Sequence, residues 1–482
     1  VYKRQPDFWI DGITSRAEFE EKVIKAIRDS YQRRGAQGVD TAVKRAEFLY
    51  RAILGLPQHD LSPTITRNLR RLRDYNFLRL MNNMGITQSV ELGRIFTRTS
   101  FSAAFRHMPS VKRIIEQGTG DYVLNNKVAR ELEMWGITDN DYWIGASKYR
   151  FQQELIGETP NTSPSMMARI GNGYDEAVNK GKEVMANTSL MRPIHSRMQQ
   201  WAARATVQWF ADISGNSKQF NRWKDRLSDM GLDAQDMARI RQEILRNAES
   251  PDADKRKITA MNFENWDPEA RAVFLSAVRK YANRIVQVND PGNLPMVFEQ
   301  PVAKTFLQFR GFVFAAYEKS TLWDLKHHDT MSMMTAVGDV VFGAATFAAL
   351  VHARALTRED REEYLERELS FTNLALMGWA RSGTASFTPM VLDTAMTAVG
   401  QDPLFMGART SGTATDVLGG SAPIDLYNSV LSASGAAVDS WVNWRDLSKQ
   451  ELSTGLRIAP GANWLPAVGL LQSLCLLYTS PS

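Results

Sequence analysis

MSMMTAVGDVVFGAATFAAL, residues 331–350, is the stretch whose reading decides the fold. Asp339 is its only charged residue, and apolar or small side chains fall on every side of a helix drawn through it. A helix of that kind is either the buried centre of an all-helical domain or a segment that meets lipid. On its N-terminal side the aromatic-rich run Pro301 to Lys319 reads as one long helix, followed by a polar joint at Lys326-His-His-Asp329. On its C-terminal side Thr357-Arg-Glu-Asp-Arg-Glu-Glu-Tyr-Leu-Glu-Arg reads as a charged helix. A bilayer span needs about 20 apolar residues. Thr335 to Val351 supplies fewer, and a charge such as Asp339 at mid-bilayer costs about 3 kcal/mol. A lone permanent span is therefore disfavoured. Facing a polar pore or a partner helix, Asp339 is tolerable. The small residues Gly338, Gly343, Ala344, Ala345, Ala348 and Ala349 let helices approach closely in a membrane or in a soluble bundle alike.

Composition narrows the class. The 482 residues are 44% hydrophobic and 23% charged, with a mean hydropathy of −0.32. Those values fit a globular chain of several domains and exclude a multi-span transporter. A net charge of +5 permits contact with nucleic acid or anionic lipid without requiring it. Val1 to Gln5 and Cys475 to Ser482 resemble translated sequencing-adaptor sequence, and the expectation is that neither belongs to the natural chain. The only cysteine lies in the second of these, so disulfides, thiolate catalysis and cysteine-bound metals are not expected.

Helical signals dominate along the chain and predict an all-α fold, an elongated bundle-like array of many helices with no significant sheet. Ser15-Arg-Ala-Glu18 is a capping box, and Pro63 sits at the first helical position behind Ser62. The third helix places Ile65, Leu69, Leu72 and Leu80 on one side, with Arg67, Arg70, Arg71 and Arg73 around them. One turn pattern occurs three times, at Met84-Gly-Ile-Thr87, Trp135-Gly-Ile-Thr138 and Met230-Gly-Leu-Asp233. In each, glycine ends one helix in the left-handed conformation and Thr or Asp caps the next. Asn289 to Pro295 is the strongest turn cluster. The expected division is 6–160 and 161–290 as helical regions, 291–370 as the aromatic and apolar core or membrane-facing segment, and 371–474 as a loop-rich Gly/Ser/Ala region with short helices.

The search for enzyme chemistry comes back empty. No phosphate-binding Gly-x-x-x-x-Gly-Lys, no His-Glu-x-x-His and no Gly-x-Ser-x-Gly occurs. His327 and His328 are adjacent, but neighbours on a helix point about 100° apart and rarely share one metal, so a joint or interface role is expected. No catalytic residue, metal or cofactor is assigned. Two candidates remain. Arg67, Arg70, Arg71 and Arg73 form a basic helix that could hold phosphates or lipid headgroups, or else be a solvated face. Phe306, Phe309, Phe312, Phe314, Trp323, Asp339, Phe342 and Phe347 are the membrane or pore candidates.

Six stretches carry a resemblance. They are Phe306-Leu-Gln-Phe-Arg-Gly-Phe-Val-Phe-Ala with the weakly charged helix and Arg358-Glu-Asp-Arg-Glu-Glu-Tyr-Leu, Leu374 to Asp393, Arg457-Ile-Ala-Pro-Gly-Ala-Asn-Trp-Leu-Pro466, and Arg192-Pro-Ile-His-Ser-Arg with its following helix. Over residues 190–470 the pattern resembles the C-terminal part of the large internal virion proteins of short-tailed phages, with no invariant catalytic motif in the match. The resemblance implies a protein stored inside the capsid, ejected ahead of the genome, and assembled in the host envelope as a DNA conduit. It further implies a homo-oligomer, contact with other internal and portal proteins of the virion, the host envelope membrane as a partner, and non-specific passage of phage DNA. Such proteins often carry a murein-cleaving domain at the N-terminus, and none is visible in this sequence. The competing expectation is a helical virion structural or scaffold protein that never meets a membrane.

Overall fold

A computed structural model describes residues 15–34, 38–53, 62–80, 89–108, 127–137, 166–189, 191–214, 216–250, 257–286, 296–308, 310–356, 358, 360–405, 422–456 and 458–460. Among them the fold is all-α, as expected, and the one strand-like feature is an isolated antiparallel bridge between Glu249 and Ala260. The principal helices are α1 (Lys25–Arg34), α2 (Val39–Ile53), α3 (Pro63–Leu80), α4 (Leu92–Arg98), α5 (Phe101–Arg106) and α6 (Lys127–Met134). They continue as α7 (Met166–Thr188), α8 (Met191–Ser214), α9 (Ala234–Asn247), α10 (Pro268–Ile285) and α11 (Thr330–Ala355). The last are α12 (Phe371–Arg381), α13 (Thr388–Ala398), α14 (Ala422–Asn443) and α15 (Lys449–Leu456).

Local chemistry sets most helix ends. Ser15 accepts from the Glu18 amide at 3.2 Å. The Asp233 carboxylate accepts from the Asp236 amide while Asp236 returns the bond to the Asp233 amide, a complete capping box at the start of α9. Gly136 and Gly231 both have positive φ, at 68° and 93°. Behind them Ile137 donates to the Leu132 carbonyl and Leu232 to the Leu227 carbonyl, which satisfies the last carbonyls of each helix. The third copy of this turn and the Asn289–Pro295 cluster lie outside the described residues.

The main core gathers around α8, where Trp201, Trp209, Phe210 and Ile213 meet Phe274, Val278 and Tyr281 of α10 and Leu132 of α6. Its aromatic rings touch one another throughout, Trp209 stacking on Tyr281 at 5.5 Å and Phe210 meeting Phe274 edge-on at 5.2 Å. A smaller core of Phe347, Val351, Tyr364, Met377 and Phe405 joins α11 to α12.

His107 is buried at the edge of the main core, its Nε2 3.1 Å from the Gln208 side-chain oxygen. Burial pushes its pKa down to about 4, and the neighbouring Arg204 adds to the shift. A histidine held neutral this way gives stability that is complete above its unfolded value near 6.5 and is lost as pH falls toward 4. Roughly 3 kcal/mol is at stake. Asp212, Glu131 and Asp324 have raised values because of burial and act in the opposite sense. The contribution is therefore read as a difference. His107→Gln should flatten the pH dependence of urea unfolding between pH 6.5 and 4 relative to wild type, and an unchanged slope would count against a buried neutral imidazole.

Two sequence expectations change here. The single helix expected from Pro301 to Lys319 is broken: Pro301–Phe306 ends at Leu307, and Gly311–Ala316 leads into a wide turn over Tyr317–Leu322 before Trp323–His327. The basic helix is also inverted. In α3, Arg70, Arg73 and Arg79 are buried while Ile65 is exposed. Arg71 chelates Asp175 of α7 at 2.8 and 3.0 Å, Arg70 lies 3.3 Å from the same carboxylate, and Arg73 donates to Thr305 at 3.0 Å. Arg67 is partly exposed. Buried arginine side chains that anchor other helices are neither a solvated face nor, in this arrangement, open to phosphate.

A candidate membrane-facing helix

α11 is one continuous helix of 26 residues, longer than the apolar run suggested. An 18-residue window within it has a mean hydropathy of 1.7, and 39% of that window is buried. Asp329 caps it by accepting from the Ser332 amide at 2.8 Å. Arg226 holds that cap with two bonds of 2.6 Å and adds a third to the Ser332 hydroxyl. Burial opposes the Asp329 charge, yet the bonds from Arg226 and the Ser332 amide prevail and hold its pKa far below the usual carboxylate range. At the same joint His328 ends the preceding helix in the left-handed conformation, φ 47°, and is exposed. His327 turns the other way, edge-on to Trp323 at 4.6 Å. The two histidines thus part company at a joint, as their adjacency predicts.

The polarity of α11 is inside out. Its buried side starts with Met331 in the main core, then carries Ser332, Thr335, Asp339, Gly343 and Thr346 before it becomes apolar at Phe347, Leu350, Val351 and Ala355. Its exposed side carries Met333, Met334, Val337 and Val341, the two valines being 58% and 59% exposed. A helix shaped by water alone would place these sets the other way round. Asp339 is wholly buried and lies 3.1 Å from Arg94 Nε of α4. Burial opposes the charge on Arg94 too, but Asp339 and Glu91 outweigh it and raise its pKa.

This pair is one of three. Arg98 reaches Asp324 at 2.7 Å and donates to the Lys319 carbonyl, and Arg226 takes Asp329. Asp324, Asp329 and Asp339 therefore tie the joint and α11 to the body of the protein through arginines that are themselves buried. Arg284 completes the arrangement by lying 3.7 Å over the Trp323 ring, and burial together with nearby Arg98 lowers its pKa to about 10.

Small residues set how closely α11 is approached. A Cβ on Gly343 would land on the Gly378 carbonyl oxygen of α12, and one on Gly378 would sit 2.7 Å from the Val340 carbonyl oxygen. On the α4 side, a Cβ on Gly338 would lie 2.6 Å from Thr97 Cγ2. Ala345 and Ala349, grouped with these glycines on sequence, are exposed. Sequence patterning does not announce α12, because the Gly, Ser and Ala content after Leu369 predicts a loop-rich region with short helices only. Leu374, Met377 and Trp379 were the available signal, masked by Gly378, which acts as a contact point and not as a helix breaker.

The candidate membrane residues are placed as follows. Trp323 and Phe347 are buried, and Arg381 covers the Phe347 ring at 5.4 Å. Phe314 packs edge-on against Phe298 and Phe387 at 4.9 and 4.8 Å. Phe342 stacks on Phe96 at 6.0 Å, and Phe306 is half-buried. Phe309 and the Phe312 side chain lie outside the described residues. The outward apolar side chains are others: Met333, Met334, Val337 and Val341 on α11, Phe371 at the start of α12, Val391 and Val399 on or beside α13, and Phe101 and Phe105 of α5. Phe101 touches Phe96 at 5.2 Å, so rings lead from α5 to Phe342 of α11. Among the described residues no group of three or more His, Cys, Asp or Glu is arranged to hold a metal ion. Comparison with known proteins finds no matching family model, no similar curated protein and no similar solved structure.

Proposed function

We propose that this chain is part of an internal virion protein that leaves the capsid with the genome, and that α11 is the segment it presents to the host envelope. It acts there as a non-catalytic component of a homo-oligomeric conduit, beside other internal and portal proteins, with DNA passing non-specifically. The resemblance in the sequence supplies the biological setting. The observation that carries the membrane part is the polarity of the first two-thirds of α11, with Asp339, Ser332, Thr335 and Thr346 inward and Met333, Met334, Val337 and Val341 outward. In lipid that polarity is the stable one, because polar and small residues belong between helices and apolar ones against acyl chains. Met331 to Val351 would extend about 30 Å as a helix, near the thickness of a hydrocarbon core. Arg354 at one end, and Lys326 at the other if it parts from Asp229, supply positive charge suited to anionic headgroups.

The second reading is a helical virion structural protein that stays in water. The packing of Gly343 on Gly378 and the buried Arg94–Asp339 pair favour it, since both fix α11 in the soluble fold. Flotation on vesicles containing phosphatidylglycerol separates the two. The conduit reading expects wild type to float and the double variant Val337→Glu, Val341→Glu to stay behind. These substitutions lie on the exposed face and should leave the helical circular dichroism unchanged. Failure of wild type to float at any lipid charge or pH would leave the structural protein as the reading.

A further inference from the structure

α14 displays a second apolar face, remote in sequence from α11. Tyr427, Val430, Leu431, Val438, Trp441 and Val442 recur at helical spacing and are all exposed, Trp441 at 78%. α15 packs along another side of the helix, where Gly455 faces Ala433, and Arg445 ties the hairpin shut through Asp439 and Glu451 at 2.6 Å each. At the start of α14, Asp425 is taken by Arg79 of α3 at 2.8 Å. Both acids of α14 are thus neutralised inside the chain, and its exposed stripe carries no charge to repel a like surface.

We propose that this stripe pairs with the same stripe of a second copy, antiparallel about a two-fold axis near Ser434. The sequence of sizes along it is the reason. Ser434, Gly435 and Ala437 make a small centre, and Tyr427 and Trp441 stand seven residues to either side. An antiparallel two-fold sets Tyr427 of one copy against Trp441 of the other at both ends, while the small centres meet where the helices come closest. Trp444 follows directly after the helix. It is 92% exposed and held at φ 51°, a conformation that costs a large side chain about 1 kcal/mol or more and glycine almost nothing. With large aromatics at about 150–250 Å² each, the face offers on the order of 800 Å² per copy, one partner's share of a standard interface. A lipid surface fits less well, because α14 has no lysine or arginine to meet headgroups. This pairing does not depend on the membrane reading.

The pairing is tested without lipid, and a vesicle-binding control follows. Sedimentation of the full chain should show a concentration-dependent dimer. Val438→Glu with Trp441→Glu should weaken that dimer by more than about tenfold while leaving the circular dichroism unchanged. In a Cys475→Ser background, Ser434→Cys should form a disulfide-linked dimer under mild oxidation, and adding the two glutamates should abolish it. A wild type that stays monomeric at all accessible concentrations would overturn the proposal. So would a dimer that ignores the glutamates, or wild-type vesicle binding lost in Trp441→Glu, which would assign the face to a bilayer.

Discussion

Asp339→Asn is expected to cost the folded chain about 3–5 kcal/mol, the usual penalty when one partner of a buried ion pair is removed and the other remains. Arg94 would keep its charge and lose the carboxylate it donates to, with Glu91 left to offset part of that charge, since it is 2% exposed and cannot turn to water. Folded domains are typically stable by about 5–15 kcal/mol, so the loss should appear as a clear fall in the urea midpoint. The double variant Arg94→Leu, Asp339→Leu removes both charges and should recover most of it. A single variant within about 0.5 kcal/mol of wild type, the ordinary range for surface changes, would show that the pair is not buried in solution. The same substitution has a second consequence under the conduit reading. It loosens α11 from the soluble fold and removes a charge from the segment entering lipid, so Asp339→Asn should float on vesicles more readily than wild type.

Gly343→Val should be comparably severe, about 3 kcal/mol or more. The new Cβ would meet the backbone carbonyl of Gly378, which cannot swing aside as a side-chain tip can. Relief requires α11 and α12 to move apart, and that opens the smaller core around Phe347 and Met377. Gly338→Ala provides the graded comparison, because its Cβ would meet only the Thr97 methyl, which can rotate away. Chemical denaturation of the two variants should place Gly343→Val well below Gly338→Ala. Equal midpoints would mean that the helices do not cross as closely as described.

What could be read from the sequence divides along a physical line. The caps at Ser15 and Asp233, the proline at the head of α3 and the left-handed glycines at 136 and 231 each depend on residues a few positions apart. The same holds for α11, whose apolar run announces a helix whatever surrounds it. The buried arginines were not legible, because nothing near Arg70 or Arg94 in the sequence names Asp175 or Asp339. Burial of a guanidinium depends on a distant carboxylate, and local patterning reports only that the residue is charged. The aromatic candidates failed to mark the exposed face for a similar reason. Phe347 and Trp323 are interfacial by type, but both rings pack into the hydrophobic cores, where Arg381 and Arg284 lie over them. The valines that do face outward are chemically unremarkable and gain meaning only from what lies behind them.

The contact between Arg94 and Asp339 joins positions 245 residues apart. Such a closure comes late in assembly, because the entropy of a long loop is lost before the contact returns anything. The helices around α8 can find one another first. α11 is synthesised after α4 and α8 but before α12, so its Gly343 face lacks its Gly378 partner until α12 follows. For that interval the growing chain leaves the α12 side of α11 open, and whatever it first meets there, a neighbouring copy or a bilayer, competes with α12 for the same helix.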